Sequence, residues 1–240
     1  MPLTGGSQPI PATPIAFANR TQLEIFDDFI WTEGNPFPDE SSGFNSTAAD
    51  IANFGDSSRV GMLVCRTTTS GNGGDVYNAT VTPQCFVTAN YSAAWYLSGW
   101  DAASNLSYML QCSEGSNPNS FNNSIGFGVR TATAPGAPGF TNDRLMAWVR
   151  RITDLTTEFI DCGPITNFVG AWIVSAFTYT RASHSVEFFL NGVSVGVIGS
   201  TLTVPHDVAQ SAFHHNQSGT SAAGFTRNYD WYRFIGTMAR

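Results

Sequence analysis

Lysine is missing from the chain altogether: all 11 basic residues among its 240 are Arg, set against 18 acids, for a net charge of −7 and a pI of about 4.9. A field of that sign opposes attachment to phosphate backbones, which needs clustered cations, so nucleic acid is not an expected partner. Charge of either sign is scarce, at 12% of residues, while 42% are apolar. No run approaches the ~18 consecutive apolar residues of a membrane helix. The opening MPLTGGSQPIPATP has neither a basic n-region nor an apolar h-region, so neither membrane insertion nor an export signal is expected.

Several reactive signatures are absent as well. Cys65, Cys85, Cys112 and Cys162 form no C-x-x-C pair, which argues against a metal or redox centre; since no export signal is expected, they read as four thiols rather than two disulfides. The strand–helix alternation that would carry a nucleophile elbow is missing. His206, His214 and His215, with Asp207, are the only clustered metal-capable side chains, and adjacent His214 and His215 would point to opposite faces of a strand. Asp27-Asp28 and Asp39-Glu40 are possible Ca²⁺ ligands by chemistry, but they lack diagnostic spacing and read better as acids in turns. Neither a metal nor another cofactor is expected. The N-x-S/T triplets starting at Asn19, Asn45, Asn78, Asn90, Asn105, Asn122 and Asn216 read as polar loop chemistry.

What the chain does have is alternation. Pro2, Pro9, Pro11 and Pro14 with Gly5 and Gly6 keep the start extended, so residues 1–19 read as an N-terminal arm and 20–240 as one sandwich domain. In the domain, period-two apolar patterns recur at Leu23/Ile25, Val60/Met62/Val64, Leu106/Tyr108/Leu110 and Ile125/Phe127/Val129. Asn191-Gly192 supplies the two positive-φ residues of a type I′ turn between Val186–Leu190 and Val193–Val197. A long strand starts at Trp172, and Tyr229–Ile235 closes the series. Only 46–54 and 206–213 leave room for a short helix. Some ten to fourteen strands imply an all-β fold, a two-sheet antiparallel jelly-roll sandwich.

The order of these pieces carries a resemblance. Phe26-Asp27-Asp28-Phe29, Arg59–Val64, Ser124–Gly128, the Trp172 strand, the Asn191-Gly192 hairpin followed by Pro205, and Tyr229-Asp230-Trp231-Tyr232 together resemble concanavalin A-like (laminin-G-like) lectin/glucanase sandwiches of tailed-bacteriophage structural proteins. The resemblance spans about residues 22–236. It implies a non-enzymatic virion protein, a capsid decoration, head appendage or accessory protein attached by protein–protein contacts. The alternative is a tail-fibre or receptor-binding lectin-like module recognising host-surface glycans. It also implies that Trp231 fills the space beside the chain's start. Glucan-cleaving members of this class carry an E-x-D-x-x-E strand that sets two carboxylates ~5 Å apart. The nearest spellings here, Glu24–Asp27 and Glu158–Asp161, lack the third acid, and no catalytic residue is assigned.

Two candidate binding regions remain. Ile10, Ile15 and Phe17 are the apolar residues by which the arm would dock on capsid or tail proteins, its ordering cost offset by their burial. Self-association as a dimer or trimer is also compatible. A sugar needs an exposed aromatic platform flanked by polar groups, and Trp95, Tyr96, Trp100 and Asp101 offer one. Strand alternation puts Trp95 and Leu97 on one face and Tyr96, Ser98 and Trp100 on the other, so one of these faces must be core.

Overall fold

The computed structural model describes residues 22–27, 44–47, 49–53, 63–67, 74–78, 81–82, 86–97, 105–112, 124–130, 141–151, 156–199, 210–211, 214–219 and 226–238. They form seventeen strands: β1 Gln22–Asp27, β2 Phe44–Thr47, β3 Ala49–Asn53, β4 Leu63–Thr67, β5 Gly74–Asn78, β6 Val81–Thr82, β7 Phe86–Leu97, β8 Asn105–Cys112 and β9 Ser124–Arg130. The series continues with β10 Arg144–Arg151, β11 Thr156–Pro164, β12 Trp172–Thr180, β13 Ser185–Leu190, β14 Val193–Gly199, β15 Gln210–Ser211, β16 His214–Gly219 and β17 Thr226–Met238. The only helical turn among the described residues is a 3-10 turn at Ile165–Asn167. Residues 46–54, where the sequence left room for a helix, lie largely in β2 and β3. The arm with Ile10, Ile15 and Phe17 lies outside the described residues.

Two antiparallel sheets stack as a sandwich. One has eight strands, in the order β14-β13-β12-β7-β17-β4-β3, with β1 also on β17; the other has seven, β11-β10-β9-β8-β16-β5-β2. β15 and β6 make a separate two-stranded ribbon. The long β17 lies beside β7 on one flank, while its other flank is shared between β4, along Thr226–Tyr229, and β1, along Tyr232–Thr237. The start and the end of the domain therefore meet in the middle of one sheet.

The hairpin read from Asn191-Gly192 is present, with φ of 50° and 79° at the two residues, the left-handed pair a type I′ turn requires. The turn is also tied sideways to β12. The Asn191 N–H donates to the Val174 carbonyl at 2.8 Å, and the Val174 N–H donates to Asn191 Oδ1 at 2.9 Å. This fixes the register of β13 and β14 against the centre of the sheet, so that Val186, Phe188 and Leu190 all turn inward.

Between the sheets sits an aromatic core. Tyr91 stacks on Phe177 with ring centroids 5.6 Å apart and Phe177 meets Phe188 at 6.2 Å; Phe188 then takes the edge of Phe127, on the facing sheet, at 5.4 Å. Each of these rings is almost wholly buried. Such a chain of rings removes much apolar surface and adds favourable edge-to-face geometry where the layers meet. At one rim the layers come closer still: a Cβ added to Gly196 of β14 would stand 2.9 Å from Ile160 Cδ1 of β11.

Trp231 does not take the core position expected of it. The register of β17 against β7 slips between Tyr229 and Trp231, leaving Asp230 as the extra residue of a bulge. Tyr229, Tyr232 and Phe234 enter the core, and Trp231 is left half-buried on the outside of the sheet.

Candidate functional site

The outer face of the eight-stranded sheet is an open surface built by simple alternation. Along β12, Ile173, Ser175, Phe177 and Tyr179 are buried, while Trp172, Val174, Ala176, Thr178 and Thr180 face outward and stay half-exposed. β7 alternates in step, burying Tyr91, Ala93, Trp95 and Leu97 and presenting Thr88, Asn90, Ser92 and Tyr96. Directly paired residues of an antiparallel sheet share a face, so strand register assembles cross-strand rows from residues distant in sequence.

At one end of this face the row is aromatic. Trp172 is opposite Tyr96, which is opposite Asn228 of β17. The Trp172 and Tyr96 rings lie 5.5 Å apart, tilted by 40°. In the next row the small Ala94 stands between Val174 and Trp231, so the bulge that removes Trp231 from the core adds it to this platform. Moving away from the aromatic end, the rows are first mixed and then mostly polar: Phe189, Ala176, Ser92 and Arg233, then Glu187, Thr178, Asn90, Ile235 and Glu24, then Ser185, Thr180, Thr88 and Thr237.

Two bonds fix polar groups on this face. Thr178 Oγ1 donates to Asn90 Oδ1 at 2.9 Å, which occupies the amide oxygen and sets the amide nitrogen's two N–H groups away from that bond. Arg233 donates through Nε and Nη2 to Glu24 Oε1 at 2.9 and 2.8 Å. Both partners of that pair are about half-exposed, so it orients the side chains more than it stabilises the fold.

The proposed sugar-platform residues are divided by this geometry. Trp95 is 0% exposed and belongs to the core, with Leu97 beside it on the same face. Tyr96 is on the opposite, solvent-facing side, as alternation requires. Trp100 and Asp101 lie outside the described residues. Trp172 and Trp231, which complete the aromatic end, were not foreseen as site residues. Counting back from Tyr179 by twos assigns Trp172 to the outer face, but its pairing with Tyr96 depends on long-range register. Nothing local marks the Asp230 bulge.

The seven-stranded sheet is different on its outer side. Trp148 and Met146 of β10 and Ser124 of β9 are buried there, and Trp148 Nε1 donates to Ser124 Oγ at 2.9 Å. Register places Asp161, Met146, Gly128, Tyr108, Asn216, Asp75 and Thr47 in one row of this sheet. Its two acids stand five strand steps apart, roughly 24 Å at ~4.8 Å per step. On the eight-stranded sheet Glu24 and Glu187 are four steps apart, roughly 19 Å by the same spacing. Glycosidases with paired carboxylates need them within about 5–9.5 Å.

Other reactive groups among the described residues are occupied structurally. Asp161 is held below the usual carboxylate range by the Arg144 guanidinium, which bonds it directly; slight burial opposes this, and the Gly163 N–H at 2.9 Å assists. That favours the ionised form and is the wrong direction for a general acid. Cys162 is a free thiol whose pKa burial pushes up to about 11, so it is protonated and poorly nucleophilic near neutrality. Of the histidine cluster, His214 and His215 occupy consecutive positions of β16, and His206 and Asp207 lie outside the described residues. No group of three or more His, Cys, Asp or Glu side chains with metal-binding geometry occurs among the described residues.

This two-layer arrangement is that of the concanavalin A-like lectin and glucanase sandwiches. Among solved structures the chain is similar to peanut lectin, at 13% identity and a TM-score of 0.56, covering 91% of this chain and 99% of that one. A second is the carbohydrate esterase of Shiga toxin-encoding bacteriophage phi24B, at 11% identity and a TM-score of 0.57, covering 89% and 97%. A third is a β-1,3-glucanase from Mycobacterium marinum, at 10% identity and a TM-score of 0.58, covering 88% and 97%. Likenesses at this level of identity establish the fold alone, on which binding proteins and enzymes both occur. No protein-family model matches the chain, and no curated protein matches it in sequence.

Proposed function

We propose that the chain is a non-enzymatic, glycan-binding module of a tailed-phage particle, presenting the outer face of its eight-stranded sheet to a carbohydrate. The observation that carries this reading is the Tyr96–Trp172 pair. Two large rings stay half-exposed side by side on a rigid sheet, with Trp231 in the next row and amide and hydroxyl side chains beyond. A pyranose presents an apolar C–H face and a rim of hydroxyls, so it needs aromatic surface beside fixed donors and acceptors. The solved structures of similar fold, a lectin, a glucanase and a phage carbohydrate esterase, support a carbohydrate ligand. On the two cross-strand rows compared, Asp161 with Asp75 and Glu24 with Glu187 are too far apart to act as a hydrolytic pair, which supports binding without hydrolysis.

The particle context rests on the sequence resemblance, with the N-terminal arm as the tether. Capsid decoration, head appendage and tail fibre are all compatible with it, and immunolabelling of intact virions distinguishes them. Binding is tested by exposing the purified full chain to a glycan array and repeating the assay with Trp172→Ala and Tyr96→Ala. The reading expects selective binding that both variants lose while keeping their β-sheet spectra. Silence of the wild-type chain on all glycans, or steady release of reducing sugar from any of them, overturns it.

A further inference from the structure

The aromatic end is continuous with a polar strip, and this bears on what kind of carbohydrate the face accepts. From Trp172 to Thr178 along β12 is six residues, about 20 Å at ~3.3 Å per residue. Over that length β12 and β7 present half-buried or exposed residues, apart from the buried Ala94, on one open sheet face that reaches Asn90 and Thr178, with Thr180 and Thr88 one row beyond. A terminal sugar would touch only the Tyr96–Trp172 end. The Thr178–Asn90 bond, in contrast, holds an amide at the far end with its oxygen engaged and its N–H donors preset for an acceptor. Charge on the strip is also distinctive. Among the side chains described there, the acids are Glu24 and Glu187, and the cation Arg233 is already bonded to Glu24.

Building on the glycan-binding reading, we infer that this face takes an internal run of an unbranched, uncharged polysaccharide laid along β12 and β7, rather than a chain end or an anionic sugar. The aromatic rows hold one part of the run by stacking. The Asn90–Thr178 and Thr180–Thr88 rows accept and donate hydrogen bonds to hydroxyls several sugars away. A carboxylate or sulfate on the chain would find no unengaged cation among the described side chains of the strip.

The test measures affinity of the full chain by calorimetry for oligomers of one to eight residues, drawn from whichever arrayed glycan series binds, together with uronate-bearing chains of equal length. Affinity should climb at least tenfold with length before reaching a plateau, and the uronate chains should bind at least tenfold more weakly. Asn90→Ala should flatten the length dependence while leaving short oligomers unaffected, whereas Trp172→Ala should weaken all lengths. Equal affinity for the monosaccharide and the octamer, an unchanged length profile in Asn90→Ala, or tighter binding of uronate chains overturns the inference and leaves glycan binding itself standing. Failure of every glycan to bind removes the underlying reading instead.

Discussion

Strands β10 and β12 are each paired on both sides within their sheets, yet they are buried in opposite styles. β12 alternates strictly, one face in the core and the other half-exposed, whereas β10 buries five consecutive residues, Leu145 to Val149. A strand covered on both faces contributes packing on both; a strand covered on one leaves a rigid, patterned surface for something else. The contrast separates two kinds of tryptophan. Trp148 is 1% exposed and bonded to Ser124, so its role is in the fold, while Trp172 rests on the open face beside Tyr96.

The largest expected effect tests the buried side of that contrast. Phe188→Ala, which empties the contact between the two sheets, and Trp148→Ala should each destabilise by about 3–5 kcal/mol, read as a shift in denaturation midpoint. Trp172→Ala should cost only about 1 kcal/mol on the same assay, because its ring lies on the outer face and is already partly in water. Comparable losses at Trp148 and Trp172 would erase the distinction between a structural and a displayed aromatic.

A second measurement sharpens it at the rim. Gly196 has φ of 149° and no room for a Cβ beside Ile160, whereas Gly192 has φ of 79° in open space. Gly196→Ala should cost about 1–3 kcal/mol from combined strain and overpacking, and Gly192→Ala about 1 kcal/mol from the turn alone. Reversal of that order would mean the rim relaxes more readily than the hairpin.

Smaller effects belong to the edges. The Asp161 carboxyl is depressed by Arg144, so its contribution is present above the ordinary carboxylate range and is lost as pH falls through the lowered value. Because the pair is exposed, Asp161→Asn should change stability at pH 7 by no more than about 1 kcal/mol and reduce the acid-side slope of the stability curve slightly. Cys162, with its thiol pushed up to about 11, should react with iodoacetamide at pH 8 far more slowly in the folded chain than in urea.

Much of this was legible from residues alone, for identifiable reasons. Asn191-Gly192 specifies its turn locally, and the alternation of Trp172 to Thr180 follows from a two-residue period, so both could be read without tertiary information. The unbroken apolar run Leu145–Val149 likewise suits a strand covered on both sides. The aromatic end of the open face was only half legible. Tyr96 was placed by alternation, but its neighbour Trp172 joins it through pairing between distant segments. Trp231 was expected to fill space beside the chain's start because it is a large aromatic; the one inserted residue, Asp230, turns it to the outer face instead, and no turn-forming residue marks the insertion.

The shared flanks of β17 have a consequence for synthesis. A ribosome delivers this strand after all the others described, yet β7, β4 and β1 each pair along it. Until it emerges, their hydrogen-bonding edges lack this partner and the aromatic layer lacks Tyr229, Tyr232 and Phe234. The eight-stranded sheet is therefore completed only by its last described strand, and a nascent chain stalled shortly before β17 leaves those edges open to wrong pairing.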